Sequence, residues 1–326
     1  MRQPVPMRQR PQPLPEYRPK PGAEDPDTPV KIKAIVASSS YRAADQDPDF
    51  LRRNDMRGVR LLLDYQKPQA LLVEHDVAHT IVVFGSTRIP EPATARRNCE
   101  ALAAALAARP QDAGLKERLE VARRVLGKTR YYDMARDFGR LVGACGEQAI
   151  GGRIMVMTGG GPGIMEAVNR GADDAGAESI GLNITLPHEQ YPNPYVSPEL
   201  CFSFHYFAMR KLHFLMRARA LVAFPGGYGT MDELFEVLTL AQTRKIRPVP
   251  VILVGEDYWG RVFDPEFLVA EGAIDPEDRE LFWYAESAVE VWRDILTWYE
   301  TKGEPLLPPG SIADACGPGA QTRVGK

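Results

Sequence analysis

Residues 224–233, FPGGYGTMDE, combine the residue types of an anion-binding turn with a carboxylate a few positions away. The apolar run before this stretch predicts a β-strand, and the pattern after it predicts a helix. Glycines let backbone N–H groups crowd around an anion, and the positive end of the helix dipole points at the same place. The residues that we expect to bind a phosphate group there are Gly226, Gly227, Gly229 and Thr230.

Glu233, the last residue of this stretch, has two interpretations. Thr230 and Glu233 stand three positions apart before an apolar helical pattern, so they match a capping box that would only begin the helix. The other interpretation is a catalytic carboxylate near the helix start, where the dipole and backbone N–H groups would keep it ionised. The local pattern fits both.

Two further predicted strands end in small residues. Residues 80–84 lead into Gly-Ser, and residues 153–158 lead into GGGPG. Because the carboxyl ends of parallel strands meet at one edge of a sheet, we expect these turns to join the same site. The residues concerned are Ser86, Gly159, Gly160, Gly161 and Gly163. The cluster is not a dinucleotide fingerprint, because Ile164 replaces its third glycine, and no Lys-Ser/Thr pair follows to make a Walker A loop.

The helical pattern over residues 204–218 carries two adjacent cations, Arg210 and Lys211. Adjacent cations on a helix usually form a solvated face. This helix, however, leads directly into the strand before Pro225, which would bring both cations to the glycine turn. The pattern alone leaves a solvated face and a place in the site open.

Short apolar segments alternate with helical patterns between residues 75 and 302. Strands are predicted over residues 80–84, 153–158, 179–184, 220–224 and 249–255. Helices are predicted over residues 50–66, 91–108, 115–126, 131–146, 204–218, 259–269 and 288–299, and after the glycine turns that end at 163 and 229. This alternation predicts an α/β fold with a doubly wound, Rossmann-like parallel sheet and an N-terminal helical extension.

Composition divides the chain into four predicted regions. Residues 1–30 are proline-rich and cannot bury much apolar area, which predicts a disordered tail. Residues 31–74 form the N-terminal extension, and residues 75–302 form a nucleotide-binding domain. Residues 303–326, rich in glycine and proline, are predicted to be a flexible tail. Between the loops of the domain, the proline-rich residues 187–198 are expected to form one wall of the site.

Charge and composition disfavour several functional classes. The 326 residues carry a net charge of −3, which does not suggest a protein that coats nucleic acid or an anionic membrane. No apolar run approaches the roughly 18 residues of a membrane span, and no signal peptide is visible, so we expect a cytoplasmic protein. The four cysteines lie far apart and indicate neither a zinc cage nor a disulfide framework. His75 and His79 lack a third ligand at a recognisable interval, so no metal is expected.

Three motifs together resemble one known family. They are GGGPGIM at residues 159–165, MRK at 209–211 and PGGYGTMDE at 225–233. The combination resembles the LOG ("Lonely Guy") family, often mislabelled lysine decarboxylase, over about residues 80–300. The resemblance implies a phosphoribohydrolase that needs no cofactor and cleaves the N-glycosidic bond of nucleoside 5′-monophosphates. The products would be a free base and ribose 5-phosphate.

The resemblance also implies site residues and a subunit arrangement. The family's catalytic arginine and glutamate fall on Arg210 and Glu233, and Lys211 would contact the substrate. A homodimer or larger assembly is implied, for which the helix over residues 234–240 is a plausible seam. The N-terminal extension and residues 111–130 resemble longer bacterial members, which favours AMP over cytokinin riboside 5′-monophosphates as the substrate.

Two other classes of protein remain open at this level. A carrier or sensor with the same loops would bind a nucleotide or a pterin-type molybdenum cofactor without turnover. A pyridoxal-phosphate decarboxylase would need an imine-forming lysine beside a phosphate-binding loop, with Lys211 and Lys245 as candidates.

Overall fold

The computed structural model describes residues 21–184 and 191–308, and these form one seven-stranded sheet with helices. Every paired neighbour in the sheet is parallel. The strands are β1 (Val77–Phe84), β2 (Arg153–Thr158), β3 (Ile180–Ile184), β4 (Cys201–Phe204), β5 (Ala218–Ala223), β6 (Val251–Val254) and β7 (Trp283–Ala285). The predicted doubly wound parallel α/β fold is therefore confirmed.

The chain reverses direction across the sheet once. The strand order is β4-β3-β2-β1-β5-β6-β7, so the chain moves outward from β1 to β4 and then returns to place β5 on the other side of β1. Such a switch point leaves a crevice at the carboxyl ends of the strands, where open α/β sheets bind ligands.

Most of the helices lie between successive strands in the sequence. Before the sheet lie α1 (Thr28–Ala37), α2 (Pro48–Arg52) and α3 (Arg57–Glu74). Between strands lie α4 (Pro92–Ala108), α5 (Ala113–Gly127), α6 (Arg130–Cys145), α7 (Ile164–Asp174), α8 (Phe207–Met216), α9 (Tyr228–Gln242), α10 (Glu256–Trp259) and α11 (Pro265–Ala270), and α12 (Ala288–Thr301) follows β7. The chain divides after Arg60 into two compact units, and the sheet belongs to the second.

The sheet is buried on both faces, and this explains why the sequence of β1 is a continuous apolar run. Ile81 and Val83 belong to one apolar cluster, with Phe138 and Trp292, while Val82 and Phe84 belong to the other. Successive side chains of a strand point to opposite faces, so both sets must be apolar.

The two outermost strands were not predicted. β4 has four residues and begins at Cys201 opposite Gly181, and β7 has three residues and pairs only with β6. Segments this short carry no readable period, and pairing with a neighbouring strand decides their conformation. The predicted helix over residues 259–269 is also two helices, because the Asp264 carboxylate accepts hydrogen bonds from the N–H groups of Glu266 and Phe267 and begins α11 there.

The predicted tails fall partly outside the described residues. Helix α1 begins at Thr28, and residues 1–20 are outside. At the other end, residues 309–326 are outside, but Leu306 and Leu307 are buried in the core, and the Leu306 carbonyl accepts a hydrogen bond from Ile150 N–H at 2.8 Å. Ordered structure thus extends past residue 303. Residues 187–190 of the predicted wall also lie outside. Within the described ranges no helix is long and apolar enough to cross a membrane.

Candidate active site

Three loops meet at the carboxyl edge of the sheet, and Ser86 joins them. Its N–H donates to the Pro225 carbonyl at 3.0 Å, and its carbonyl accepts from Ile164 N–H at 3.1 Å. Gly163 precedes α7 with φ of 74°, and a Cβ there would overlap the Ser86 carbonyl oxygen. Glycine at 163 therefore allows two loops to pack closely together. This is a structural role and not a contact with a ligand.

A cleft of about 720 Å³ opens where these loops meet. It is lined by Phe84, Gly85, Ser86, Thr87, Arg88, Gly159, Met165, Ile184, Phe207, Arg210, Gly226, Gly227, Tyr228, Gly229, Thr230, Met231, Asp232, Glu233 and Tyr258. Eight of the twelve residues predicted for the site are in this set. The four that do not line the cleft are Gly160, Gly161, Gly163 and Lys211.

The glycine turn presents unpaired donors to the cleft. Gly227 and Gly229 are exposed, and no atom lies within 4 Å of the place that a Cβ would take at either residue. In the described part of the chain, the N–H groups of Gly227, Tyr228 and Gly229 donate no hydrogen bond. Helix α9 begins at Tyr228, so these donors sit at the positive end of a fifteen-residue helix.

Gly226 and Thr230 support the turn from behind. Thr230 is buried, and its side chain occupies the space that a Cβ on Gly226 would need. The Gly226 carbonyl accepts a hydrogen bond from the Tyr258 hydroxyl at 2.5 Å. The capping-box interpretation of Thr230 and Glu233 is wrong, because Gly227 is the N-cap and no side chain caps α9.

Glu233 lies in the second turn of α9, buried at the wall of the cleft. Burial raises the pKa of its carboxyl to about 7, while the positive charges of Lys211 and Arg210 act in the opposite direction. No hydrogen bond to the carboxylate occurs among the described residues. The expectation that the helix start keeps Glu233 firmly ionised is therefore wrong, because one full turn separates it from the free N–H groups.

Arg210 projects from α8 across the end of the sheet. Its Nε donates to the Leu182 carbonyl of β3 at 2.7 Å, and its guanidinium carbon lies 5.2 Å from the Phe214 ring centroid. Its Nη2 rests against Gly159, where a Cβ would come within 2.5 Å of that nitrogen. Burial lowers the pKa of Arg210 and the Glu233 charge raises it, but a guanidinium stays charged at any working pH.

Lys211, the neighbour of Arg210, does not line the cleft. Its ammonium forms ion pairs with Asp232 at 2.8 Å and with Glu236 at 3.0 Å, and it lies 3.9 Å from Glu233. One cation is thus shared by three carboxylates. Lys211 is neither part of a solvated face nor free of protein partners.

A buried amide network shapes the loop that follows β2. Asn193 N–H donates to the Gly160 carbonyl at 2.8 Å, and Asn193 Nδ2 donates to the Gly161 carbonyl at 3.0 Å. The same Nδ2 reaches Asn169 Oδ1 at 3.0 Å, which also accepts from the Thr158 hydroxyl. The signal available in the sequence was Asn169, a single amide on the apolar face of α7.

Eleven of the nineteen lining residues were not predicted, and two of them, Arg88 and Tyr258, form hydrogen bonds within the site. Arg88 is exposed, and its N–H donates to Ser86 Oγ at 3.0 Å. Tyr258 comes from α10, about thirty residues after the glycine turn, and reaches it only because β6 places α10 beside β5. The arginine two positions after Ser86 could have been noticed, whereas nothing near Tyr258 in the sequence marks it.

The histidine pair has other partners. His75 ends up after α3 and lies 3.5 Å from the Glu199 carboxylate, while His79 is in β1 and its Nδ1 accepts from Arg219 at 3.0 Å. The spacing of four residues thus spans a helix end and a strand instead of one helix face. Across residues 21–184 and 191–308, no group of three or more potential ligands could hold a metal ion.

The predicted seam on α9 is partly buried within the same chain. Leu234 and Val237 are buried in the core of the same chain, whereas Phe235 is 40% exposed. Helix α8 adds exposed apolar side chains nearby, Phe207 and Leu212. Subunit pairing stays a prediction, with these exposed residues as its best surface.

Residues 165–295 match the family model described as "Possible lysine decarboxylase". The chain is 32% identical over 204 residues to the cytokinin riboside 5′-monophosphate phosphoribohydrolase LOG of Oryza sativa subsp. japonica, covering 60% of this chain and 79% of that one. It is 31% identical to LOG3 of Arabidopsis thaliana, covering 52% and 75%. It is also 32% identical to the probable enzyme LOGL5 of Oryza sativa subsp. japonica, covering 49% and 62%.

Two solved structures are similar at lower identity. One is the X-ray structure of TM1055, with 21% identity, a TM-score of 0.39 and coverage of 67% of this chain and 98% of that one. The other is the Moco carrier protein from Chlamydomonas reinhardtii, with 18% identity, a TM-score of 0.39 and coverage of 68% and 98%.

The strand order and the glycine turns define a Rossmann-like protein with its cleft at the switch point. The matched relatives place it further: this chain belongs to the LOG family, whose matched members are named cytokinin riboside 5′-monophosphate phosphoribohydrolases.

Proposed function

We propose that this protein hydrolyses the N-glycosidic bond of nucleoside 5′-monophosphates, with AMP as the preferred substrate and cytokinin riboside 5′-monophosphates as a second class. One observation carries the proposal: Glu233, Arg210 and the unpaired N–H groups of the glycine turn line the same cleft. The products are a free base and ribose 5-phosphate.

The glycine turn binds the 5′-phosphate in this proposal. The N–H groups of Gly227, Tyr228 and Gly229 are free to donate, and the α9 dipole favours a negative charge in front of them. Arg88, Ser86 and Arg210 add polar groups around the same space. Binding this remote phosphate supplies the energy that positions C1′ of the ribose.

Glu233 acts on the ribose. As the bond between C1′ and the base nitrogen breaks, C1′ becomes positive, and an ionised carboxylate stabilises that charge. A water oxygen then bonds to C1′, and the base leaves with the proton that the water gives up. Arg210 is fixed between β3 and the Gly159 loop and anchors the ribose or phosphate.

The base meets an apolar part of the cleft. This part is lined by Met165, Ile184 and Phe207. Their side chains have no hydrogen-bonding groups that would select the edge of one particular base. This supports acceptance of adenine and of its more apolar cytokinin derivatives.

The test is incubation of the purified protein with AMP, followed by chromatographic detection of adenine and ribose 5-phosphate. Glu233→Gln and Arg210→Ala are the matched inactive variants. Tight binding of AMP without release of adenine would contradict the proposal and favour a carrier. A decarboxylase using pyridoxal phosphate is disfavoured by the chain itself, because neither Lys211 nor Lys245 lines the cleft.

A further inference from the structure

The ammonium of Lys211 on α8 lies among three carboxylates on two turns of α9. Its Nζ is 2.8 Å from Asp232 Oδ2, 3.0 Å from Glu236 Oε2 and 3.9 Å from Glu233 Oε2. Asp232 is the most exposed of the three, with 59% of its side chain accessible, and Glu233 is the least, with 9%. The two short contacts of the Lys211 ammonium are therefore with the more exposed carboxylates, Asp232 and Glu236. Its interaction with the buried Glu233 carboxylate acts over a longer distance.

These contacts hold Lys211 in place and keep it charged. An ammonium has three donors, and the outer carboxylates engage two of them. Burial alone would lower the pKa of Lys211, but the hydrogen bonds to Asp232 and Glu236 raise it above its ordinary value. Lys211 does not line the cleft, whereas Glu233 does.

We propose that Lys211 is a positioning residue that acts through Glu233: held by Asp232 and Glu236, its ammonium is the counter-ion that keeps the buried Glu233 carboxylate charged for the reaction. The inference rests on the proposed hydrolysis, in which Glu233 reacts in its ionised form. It replaces the expectation that Lys211 binds the substrate itself.

The charge of Lys211 sets the balance between opposite and like charges around Glu233. Lys211 and Arg210 face it from α8 and favour its ionised form, and Glu236 and Asp232 face it from α9 and oppose it. Without Lys211, a buried carboxyl would have one cation against two carboxylates. It would then hold its proton to higher pH and be neutral where the enzyme works.

The direct test is a ¹³C NMR titration of protein labelled at the glutamate side-chain carboxyl carbons. The Glu233 signal is assigned by its loss in Glu233→Gln. In Lys211→Met, the titration midpoint should rise by about one pH unit, because an opposite charge within 4–6 Å is removed. In Lys211→Arg, which keeps the charge, it should stay near the wild-type midpoint. In Glu236→Gln, which removes a like charge, it should fall.

The opposite signs of Lys211→Met and Glu236→Gln separate this mechanism from a structural one. An unchanged or lower midpoint in Lys211→Met, or a shift in the same direction in both variants, would overturn the proposal. If Lys211→Met fails to fold by circular dichroism, Lys211→Gln replaces it, and an unchanged midpoint there also overturns the proposal.

Kinetics provide the second readout. The acid limb of kcat/KM for AMP should move with the NMR midpoint in each variant, and Lys211→Met should fall about tenfold below the wild type in kcat/KM at pH 6 but only about twofold below it at pH 8. A higher KM with an unmoved acid limb would instead make Lys211 a substrate ligand and refute the proposal. The NMR titration needs no substrate, so expected midpoints without adenine release would refute only the proposed hydrolysis.

Discussion

Replacing Glu233 by glutamine should stabilise the protein at high pH while removing its activity. Burial raises the pKa of the Glu233 carboxyl from 4.5 to about 7 in the folded protein. The native state thus binds this proton more tightly than the unfolded chain does. As a result, the free energy of unfolding of the wild type falls as the pH rises from 4.5 through 7, and the loss is complete near pH 8.

The magnitude follows from the two pKa values. At about 1.4 kcal/mol for each tenfold change in proton affinity, ionising Glu233 in the folded protein costs on the order of 3 kcal/mol. Glutamine resembles the protonated acid and has no charge to bury. Glu233→Gln should therefore match the wild type near pH 4.5 and exceed its free energy of unfolding by about 2–3 kcal/mol at pH 8.

Urea denaturation at pH 5 and pH 8 measures this difference, in buffers without phosphate because a bound anion would change the charge of the site. Glu271→Gln, at an exposed glutamate, is the matched control and should show no comparable pH dependence. Turnover of AMP by Glu233→Gln should fall by about a hundredfold or more in kcat with a smaller change in KM. Equal stability differences at both pH values would refute the raised pKa of the buried Glu233 carboxyl, and with it the predicted pH dependence of the activity.

Further predictions concern the same cleft. The kcat/KM of the wild type for AMP should decrease below a pH of about 7, because protonation removes the charge of Glu233, and a profile flat from pH 6 to 8 would contradict this. Adenosine should react with a kcat/KM roughly two to four orders of magnitude below that of AMP, since it lacks the phosphate, and equal values would mean that the glycine turn binds another group. Gly227→Val should abolish AMP binding in calorimetry without unfolding the protein, because its side chain would project into open cleft space, whereas Gly163→Val should destabilise the fold by overlapping Ser86. Light scattering should give the mass of a dimer or larger, and a mass of 36.2 kDa would rule that out.

Local patterns were sufficient for the fold class and for the position of the cleft. The run over residues 80–84 is apolar on both faces because β1 is buried on both, and that run is readable without a structure. Glycine turns directly after strands must lie at the carboxyl edge of a parallel sheet, so their convergence followed from the alternation of elements. The same reasoning could not find β4 and β7, because three or four residues have no period and pairing alone makes them strands.

The chemistry of the site depended on tertiary structure. Glu233 has the same neighbours in the sequence whether it caps a helix or ionises near pH 7; burial in the wall of the cleft decides between these. Lys211 and Glu236 are 25 residues apart, and only the packing of α8 against α9 makes them partners. Likewise, Gly163 is required by the Ser86 carbonyl, a contact between two loops that no local spacing encodes. The residues that reach the edge of the sheet could thus be predicted from the sequence, because backbone periodicity is local. Their charges and partners were decided by the structure, because desolvation and Coulomb forces act between residues that only folding brings together.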